Sequence, residues 1–169
     1  MIVVQIRKLA KEMITEFFSK NWGSPQMVIS SGIFQCDELD GFAVLDENNR
    51  IIGLITYIMD QSECEIISLD SLVENKGIGS KLIQEVENIA KKNNVSKIKL
   101  VTTNDNVHAL AFYQKRGYQL AELLVDAVDL ARKMKPEIPL VADNGIPIRD
   151  ELVLIKWLDL IIHHNEKVK

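Results

Sequence analysis

The amino-acid sequence predicts an α/β protein with a mixed, mostly antiparallel central sheet of six to seven strands flanked by helices. Three β-prone runs separated by polar turns follow one another between residues 41 and 72. From residue 79 onward, helical spacing of apolar residues alternates with short strand-like runs. The chain has 169 residues, of which 47% are apolar, and this suffices for one core, so we expect a single domain, 1–169.

The N-terminal part predicts a strand, a helix and a loop. Ile2–Ile6 is a β-prone run, and Lys8–Lys20 places its apolar residues on one helical face. The stretch Asn21–Pro25 contains Gly and Pro and is typical of a loop. Between this loop and residue 41 we allow an optional second helix.

The middle of the chain predicts an antiparallel meander that leads into a helix. Residues 41–47 and 51–59 flank a polar turn and form a hairpin, and Glu63–Leu72 adds a third strand. From Gly79 to about Asn93 the apolar residues recur at helical spacing.

The second half continues this alternation. Lys97–Thr102 is a predicted strand, Asn106–Arg116 a helix that ends at Gly117, and Tyr118–Val125 another strand.

A helix-plus-loop insertion, 126–150, precedes the last predicted strand. Its helix covers Asp126–Lys135, and the loop after it holds three of the chain's four prolines. Glu151–Leu158 is the last strand, and the polar tail from His163 is expected to be frayed.

Composition argues against several kinds of partner. The formal net charge is −4 with both signs interspersed, which disfavours a nucleic-acid partner. The apolar run at the N-terminus is too short for a signal peptide or a membrane span. Cys36 and Cys64 lack metal-ligand spacing and are expected to be buried thiols. His163 and His164 lack the spacing and the supporting residues of a metal site. A cytoplasmic protein without a membrane or metal is the simplest interpretation.

A short glycine motif stands where the meander gives way to the helix. Gly77 and Gly79 are two residues apart, so the nucleoside-triphosphate loop pattern is not met, and Leu82 replaces the third glycine of the dinucleotide fingerprint. Such a turn still lets a ligand approach the free amides of a helix N-terminus, whose partial positive charge suits a pyrophosphate. Taken alone, a plain tight turn explains the motif equally well.

A second motif decides between these interpretations. In NVHALAFYQKRGY, Asn106, Ala109, Tyr113, Gly117 and Tyr118 are spaced 0, 3, 7, 11 and 12. Together the two segments resemble the GNAT family of acetyl-CoA-dependent N-acetyltransferases, whose pattern is (Q/R)-x-x-G-x-(G/A) opening a long helix, a strand, and then N-x-x-A-x-x-x-Y-x-x-x-G-(F/Y).

The resemblance implies a GNAT-like fold and transfer of an acetyl group from acetyl-CoA to a primary amine by direct attack in a ternary complex. It implies acetyl-CoA as donor and no metal. An alternative is a catalytically inactive acyl-CoA-binding regulatory module, whereas nucleotide binding is disfavoured by both failed fingerprints. The acceptor, a small molecule or a protein amino group, the acyl-chain preference and the oligomeric state, monomer or homodimer, stay open.

The resemblance also assigns residues to acetyl-CoA. The pyrophosphate would rest on the backbone amides of the glycine loop: Asn75, Lys76, Gly77, Ile78, Gly79 and Ser80. The pantetheine arm would pair with the strand before the loop, through Leu69, Ser71 and Leu72, and Asn106 would hold its side. Asn106 also suits a helix N-cap. The family's Gln/Arg position falls on Glu74, an acid beside a phosphate, which we expect to turn to solvent.

Two catalytic residues follow from the resemblance and the chemistry. Tyr113 matches the tyrosine near the thioester sulfur and would protonate the leaving thiolate, although packing beside Phe112 is an alternative. Glu65 is our first choice for the proton acceptor, with Asp70 or water alone as the other options. Strand alternation places Glu65 and Asp70 on opposite faces unless a bulge intervenes.

The acceptor side is expected to come from the loop at Trp22 and from the insertion 126–150.

Overall fold

The structure, a computed structural model, describes residues 1–160, so His163, His164 and the tail predicted to be frayed lie outside it. The helices are α1 (Lys11–Trp22), α2 (Ile78–Lys92), α3 (Val107–Gln114) and α4 (Ala127–Met134). The strands are β1 (Ile2–Gln5), β2 (Gln26–Ile29), β3 (Gly32–Gln35), β4 (Asp40–Leu45), β5 (Ile51–Met59), β6 (Cys64–Ser71), β7 (Lys97–Thr103), β8 (Gln119–Leu124) and β9 (Glu151–Trp157).

Seven strands form one sheet in the order β1-β4-β5-β6-β7-β9-β8. Each neighbouring pair is antiparallel except β6 and β7, which run parallel because α2 crosses over between them. The predicted class, a mixed and mostly antiparallel sheet flanked by helices, is confirmed, and so is the meander of β4, β5 and β6.

The sheet has a buried core on each face. On one face α2 and α3 cover an apolar cluster that includes Ile55, Leu82 and Leu100. On the other face α1 and the β2–β3 hairpin cover a second cluster around Phe18 and Leu54. We call these the α2 face and the α1 face of the sheet.

The first helix was predicted three residues too early. It begins at Lys11, because Ile6–Lys8 form a single 3₁₀ turn and Ala10 is extended. It ends at Trp22, where Gly23 adopts a left-handed φ of 81° and its N–H bonds back to Ser19. Trp22 therefore belongs to a helix and not to the predicted loop.

The optional second helix after α1 was wrong. Residues 26–35 form the β2–β3 hairpin, a separate two-stranded sheet with Met27 opposite Phe34. The polar turn Ser30–Ser31 between two apolar pairs favours this hairpin, and Met27 and Phe34 bury their side chains in the α1-face core.

The remaining elements lie within about two residues of their predictions, and both cysteines are buried free thiols as predicted. Burial raises the pKa of Cys36 to about 11 and that of Cys64 to about 12. Neither thiol is therefore a nucleophile at neutral pH.

Candidate active site

The central feature of the site is a gap between β6 and β7. The two strands pair with each other only where Cys64–Ile66 of β6 lies beside Ile98–Leu100 of β7. Beyond that point β6 continues to Ser71 and β7 to Thr103 without pairing with each other. The sheet is thus open between these strand ends, and each presents backbone groups to the gap.

The glycine loop lies at one side of this gap. Gly77 has a left-handed φ of 68°, and α2 begins at the next residue, Ile78. Four residues of a helix N-terminus lack intrahelical partners for their N–H groups, so this loop presents free donors and the positive end of the helix dipole.

A cavity of about 470 Å³ lies over the loop. It is lined by Leu69, Ser71, Val73, Glu74, Asn75, Gly77, Ile78, Gly79, Ser80, Asn106, His108, Ala109, Phe112, Tyr113 and Arg116. Of the residues predicted to bind acetyl-CoA, Leu72 and Lys76 are not among the lining residues. We call this the donor cavity.

Sequence reasoning missed Arg116, a cation in the wall of the donor cavity. Its Nη2 lies 2.5 Å from Ser80 Oγ, and its guanidinium carbon lies 3.5 Å from the centroid of the Phe112 ring. These contacts place a fixed positive charge beside the loop. A basic residue directly before Gly117, at the end of the second motif, was the signal in the sequence.

Glu74, the acid of the loop, is exposed at the rim of the donor cavity. Its exposure agrees with the expectation that it turns to solvent. Arg116, two residues after the end of α3, supplies a positive charge to the same cavity.

A second, narrower cavity of about 220 Å³ fills the gap itself. Its lining comes from both faces of the sheet: Trp22, Met27, Ile29, Ile66, Ile67, Ser68, Leu69, Leu100, Val101, Thr102, Thr103, Asn106, Ala109, Tyr113 and Glu151. Leu69, Asn106, Ala109 and Tyr113 line both cavities, so the two are neighbours. We call the second cavity the slot.

Asn106 and Tyr113 stand at this junction because α3 is fixed there. Asn106 Oδ1 accepts a hydrogen bond of 3.1 Å from the N–H of Ala109, which confirms the predicted N-cap. About two helical turns after Asn106, Tyr113 is 7% exposed and packs edge-on against Phe112 and Tyr118. Burial raises the pKa of Tyr113, so its hydroxyl stays protonated at neutral pH.

A β-bulge in β6 changes the faces on which its acids lie. Thr56 of β5 pairs with Ser68, but the next residue, Tyr57, pairs with Ile66, so Ile67 is the extra residue. Strict alternation would place Glu65 and Asp70 on opposite faces, but with this bulge, the exception allowed in the prediction, both side chains point to the α1 face.

Asp70 is held from α1. Trp22 Nε1 donates a hydrogen bond of 2.9 Å to Asp70 Oδ1, while Asp70 Oδ2 is buried and has no hydrogen-bond partner among residues 1–160. Burial raises the pKa of Asp70 to about 6, although the Trp22 hydrogen bond lowers it. At this pKa the Asp70 carboxyl group can exchange a proton within about one pH unit of neutrality.

Glu65 has a different environment. It is 4% exposed, and its carboxylate accepts a hydrogen bond of 2.6 Å from Ser31 Oγ and pairs with Lys99 Nζ at 3.4 Å. Glu65 lines neither the donor cavity nor the slot. These contacts attach the turn of the β2–β3 hairpin to the sheet.

A second buried acid, Glu151, holds the same turn. It is 1% exposed, and both its oxygens lie within reach of the Ser30 N–H, at 3.0 and 3.3 Å. Glu151 and Glu65 together fix the hairpin over the α1 face, where Met27 and Ile29 form part of the slot wall.

The insertion 126–150 packs beside this hairpin. Lys135 Nζ donates to the carbonyl of Gln26 at 2.9 Å, and Arg132 donates to the carbonyls of Ile138, Pro139 and Ile148. Arg132 therefore organises the insertion itself.

Residues 1–160 contain neither a cluster of metal-ligating side chains nor a helix that could span a membrane. In that range no three His, Cys, Asp or Glu side chains come together to hold a metal ion. No helix in the same range is long and apolar enough to cross a membrane.

Comparison with known proteins identifies the family. A model of the acetyltransferase (GNAT) family matches residues 7–118, and the chain belongs to this family. The Bacillus subtilis (strain 168) protein YxbD is 61% identical over 158 residues, covering 94% of this chain and 99% of YxbD. The N-acetyltransferase YvbK of the same organism is 30% identical over 125 residues, covering 73% of this chain and 70% of YvbK.

Solved structures agree with the fold. An acetyltransferase from Bacillus cereus ATCC 14579, described as an IAA acetyltransferase, has a TM-score of 0.68 at 21% identity, covering 93% of this chain and 99% of that one. A GNAT family acetyltransferase from Elizabethkingia anophelis with acetyl-CoA bound has a TM-score of 0.59 at 26% identity, covering 71% of this chain and 76% of that one.

Proposed function

We propose that the protein transfers an acetyl group from acetyl-CoA to a primary amine, by direct attack of the amine within a ternary complex. The meeting of the donor cavity and the slot at Tyr113 carries this proposal. A thioester that lies in the donor cavity can present its carbonyl to an amine in the slot.

The donor cavity suits CoA in three respects. The free amides at the start of α2 and the guanidinium of Arg116 suit a pyrophosphate. The unpaired edge of β6 near Leu69 and Ser71 can pair with the amide groups of a pantetheine arm, as an added strand would. The GNAT family acetyltransferase from Elizabethkingia anophelis has acetyl-CoA bound, and this supports acetyl-CoA as the donor for the present protein.

Tyr113 is the proposed acid. When the amine nitrogen bonds to the acetyl carbon, CoA leaves as a thiolate, whose conjugate acid has a pKa of about 8.5. A tyrosine whose pKa is raised by burial stays protonated and can donate to that sulfur.

Glu65 was the proton acceptor predicted from the sequence. Its contacts with Ser31 and Lys99 give this assignment less support than its sequence position did. The inactive-module alternative has no observation in its favour, since the site retains both a protonated Tyr113 and a carboxylate that titrates near pH 6.

Thiol release from acetyl-CoA, measured over a panel of primary amines, tests the proposed function. The panel contains benzylamine, n-butylamine, phenethylamine, spermidine, L-lysine and kanamycin. At least one amine should stimulate CoA release and yield the N-acetyl product by mass spectrometry. Tight acetyl-CoA binding without stimulated release by any of the amines would contradict the proposal.

The variant Tyr113→Phe tests the acid. We expect kcat to fall about 10²-fold with little change in acetyl-CoA affinity, because only the proton for the thiolate is lost. The matched control is Tyr57→Phe, since Tyr57 is also 7% exposed but packs against Phe42 away from both cavities. Equal kcat values for Tyr113→Phe and the wild type would remove Tyr113 from the chemistry.

A further inference from the structure

We infer that Asp70, held by Trp22 at the α1-face side of the slot, is the group that takes the proton from the acceptor amine, and that the acceptor is a small primary amine with an apolar carbon body. This inference rests on the proposed function and deepens it.

Asp70 lies next to residues that line the slot. The bulge at Ile67 turns Asp70 to the α1 face, and its neighbours Ser68 and Leu69 line the slot. Trp22, which also lines the slot, fixes one carboxylate oxygen through its indole N–H. Asp70 is not itself among the residues that line the slot, but its hydrogen-bond partner Trp22 and its strand neighbours Ser68 and Leu69 are.

Asp70 Oδ2 is buried without a hydrogen-bond donor among residues 1–160. Buried carboxylate oxygens are nearly always paired in folded proteins, because an unpaired one loses its hydration without compensation. An ammonium group in the slot would supply the missing donor.

The other buried acids of this face do not offer such an oxygen. Glu65 is occupied by Ser31 and Lys99, and both oxygens of Glu151 face the Ser30 N–H. Of these three acids on the α1 face, Asp70 is thus the one with an oxygen that lacks a hydrogen-bond donor; Asp105 Oδ1, in the turn before α3, is the other such buried oxygen among residues 1–160.

The slot itself specifies the class of acceptor. Most of its walls are apolar side chains, among them Met27, Ile29, Ile67 and Val101, and Glu151 is the single charged residue in the lining. Its volume of about 220 Å³ leaves room for a short alkyl or arylalkyl group. Ser68, Thr102, Thr103 and Asn106 also line the slot and offer a small number of polar contacts.

The amine enters as an ammonium ion, and Asp70 Oδ2 takes one proton from its nitrogen. The neutral nitrogen then forms a bond to the acetyl carbon, and the C–S bond breaks with its electron pair on sulfur. Tyr113 gives its proton to the thiolate. The nitrogen, now part of the amide, loses its second proton, which returns to Tyr113 through solvent. Asp70 then releases to solvent the proton that it took from the ammonium ion.

The test uses benzylamine as acceptor and the variants Asp70→Asn and Trp22→Phe in the full-length protein. For Asp70→Asn we expect kcat to fall by about 10²- to 10⁴-fold, with acetyl-CoA affinity unchanged. Asp60→Asn is the matched control, because hydrogen bonds from Ser62 and Glu63 hold the pKa of Asp60 at about 2 in a distant turn. Its kcat should equal that of the wild type.

The pH dependence of kcat gives a second readout. Wild-type kcat should rise with pH through about 6 as Asp70 loses its proton. Trp22→Phe removes the donor that lowers the pKa of Asp70, so its midpoint should lie at higher pH. Near Asp70 the titratable groups are Cys36, with a pKa of about 11, and Tyr113, whose pKa burial also raises, so neither titrates between pH 5 and 7.

The outcomes separate the two hypotheses. Absence of transfer by the wild type to every amine of the panel overturns the proposed function, and the role of Asp70 with it. Transfer that Asp70→Asn leaves intact, or that Glu65→Gln abolishes instead, overturns the assignment of Asp70 alone. Turnover of kanamycin above that of benzylamine overturns the apolar class of acceptor.

Discussion

Asp70 keeps a charge at neutral pH in surroundings that disfavour it, and this should lower the stability of the fold. Its pKa is about 6 in the folded protein, against about 3.9 in an unfolded chain. A carboxyl group with a raised folded pKa favours folding below the unfolded value, and this contribution is lost as the pH rises through the folded value.

Asp70→Asn should therefore be more stable than the wild type at pH 8, by about 1–3 kcal/mol, because the amide carries no charge and can still accept from Trp22. The difference should shrink as the pH falls from 7 and should vanish near pH 4. Urea unfolding of both proteins at pH 4, 6 and 8 measures it. A variant that is less stable at pH 8 would show that the Asp70 carboxylate is compensated by contacts the structure lacks.

At this scale the sequence could predict residues that belong to local motifs. Asn106 caps its own helix and Gly77 adopts the left-handed turn, because both depend on neighbours within a few positions. The contact between Trp22 and Asp70 joins residues 48 positions apart, and it depends on a one-residue bulge that no local pattern indicated. Long-range contacts of this kind follow from the assembled fold.

Among the elements, α2 and β5 are tied together by Gly53. A Cβ built at Gly53 would overlap the Cγ2 methyl of Ile78, the first residue of α2, and would lie 3.3 Å from Leu82 Cδ1. The absence of a side chain lets the start of α2 lie directly on the sheet. Gly53 thereby fixes the height of the free amides above β5.

Gly53→Ala should displace the start of α2 and weaken acetyl-CoA binding, with a loss of about 1–3 kcal/mol in the free energy of unfolding. Calorimetric titration with acetyl-CoA and urea unfolding measure the two effects. In the double variant Gly53→Ala/Ile78→Ala the overlap disappears, so the two losses should not add. Strict additivity would show that the overlap with Ile78 is not the cause.

The element order was predictable because the apolar residues of most strands and helices recur with a clear strand or helix periodicity. The β2–β3 hairpin was not, since each of its strands has four residues and pairs only with the other. Its position is fixed by distant groups instead: Ser30 reaches Glu151 and Ser31 reaches Glu65. Tertiary contacts determine the secondary structure of such short segments.

Over the whole molecule, the donor cavity draws on β6, α2 and α3, so a ligand there should stabilise the entire domain. Acetyl-CoA at 100 times its Kd should add about 2.7 kcal/mol to the free energy of unfolding. For a domain of this size that corresponds to a rise of about 5–10 °C in Tm.

Thermal unfolding with acetyl-CoA, ATP and NAD at equal concentrations checks this. We expect the rise with acetyl-CoA and little change with NAD, whose fingerprint the loop does not meet. A comparable rise with ATP would mean that the loop recognises the nucleotide portion alone. No shift with acetyl-CoA would contradict the assignment of the donor cavity.

The fold class was predictable because the two motifs and the strand between them specify the α2-face half of the domain. Neither of the two sequence motifs includes residues of α1, the hairpin or the insertion, which line or support the slot proposed for the acceptor. The sequence could therefore predict the identity of the donor but not that of the acceptor.

The gap between β6 and β7 also bears on kinetic order. The slot has walls on both faces of the sheet. If the donor occupies the donor cavity and the acceptor the slot, as proposed, neither would have to pass the other, and we expect either substrate to be able to bind first. A single inhibitor that covalently joins CoA to an amine would fill both compartments at once.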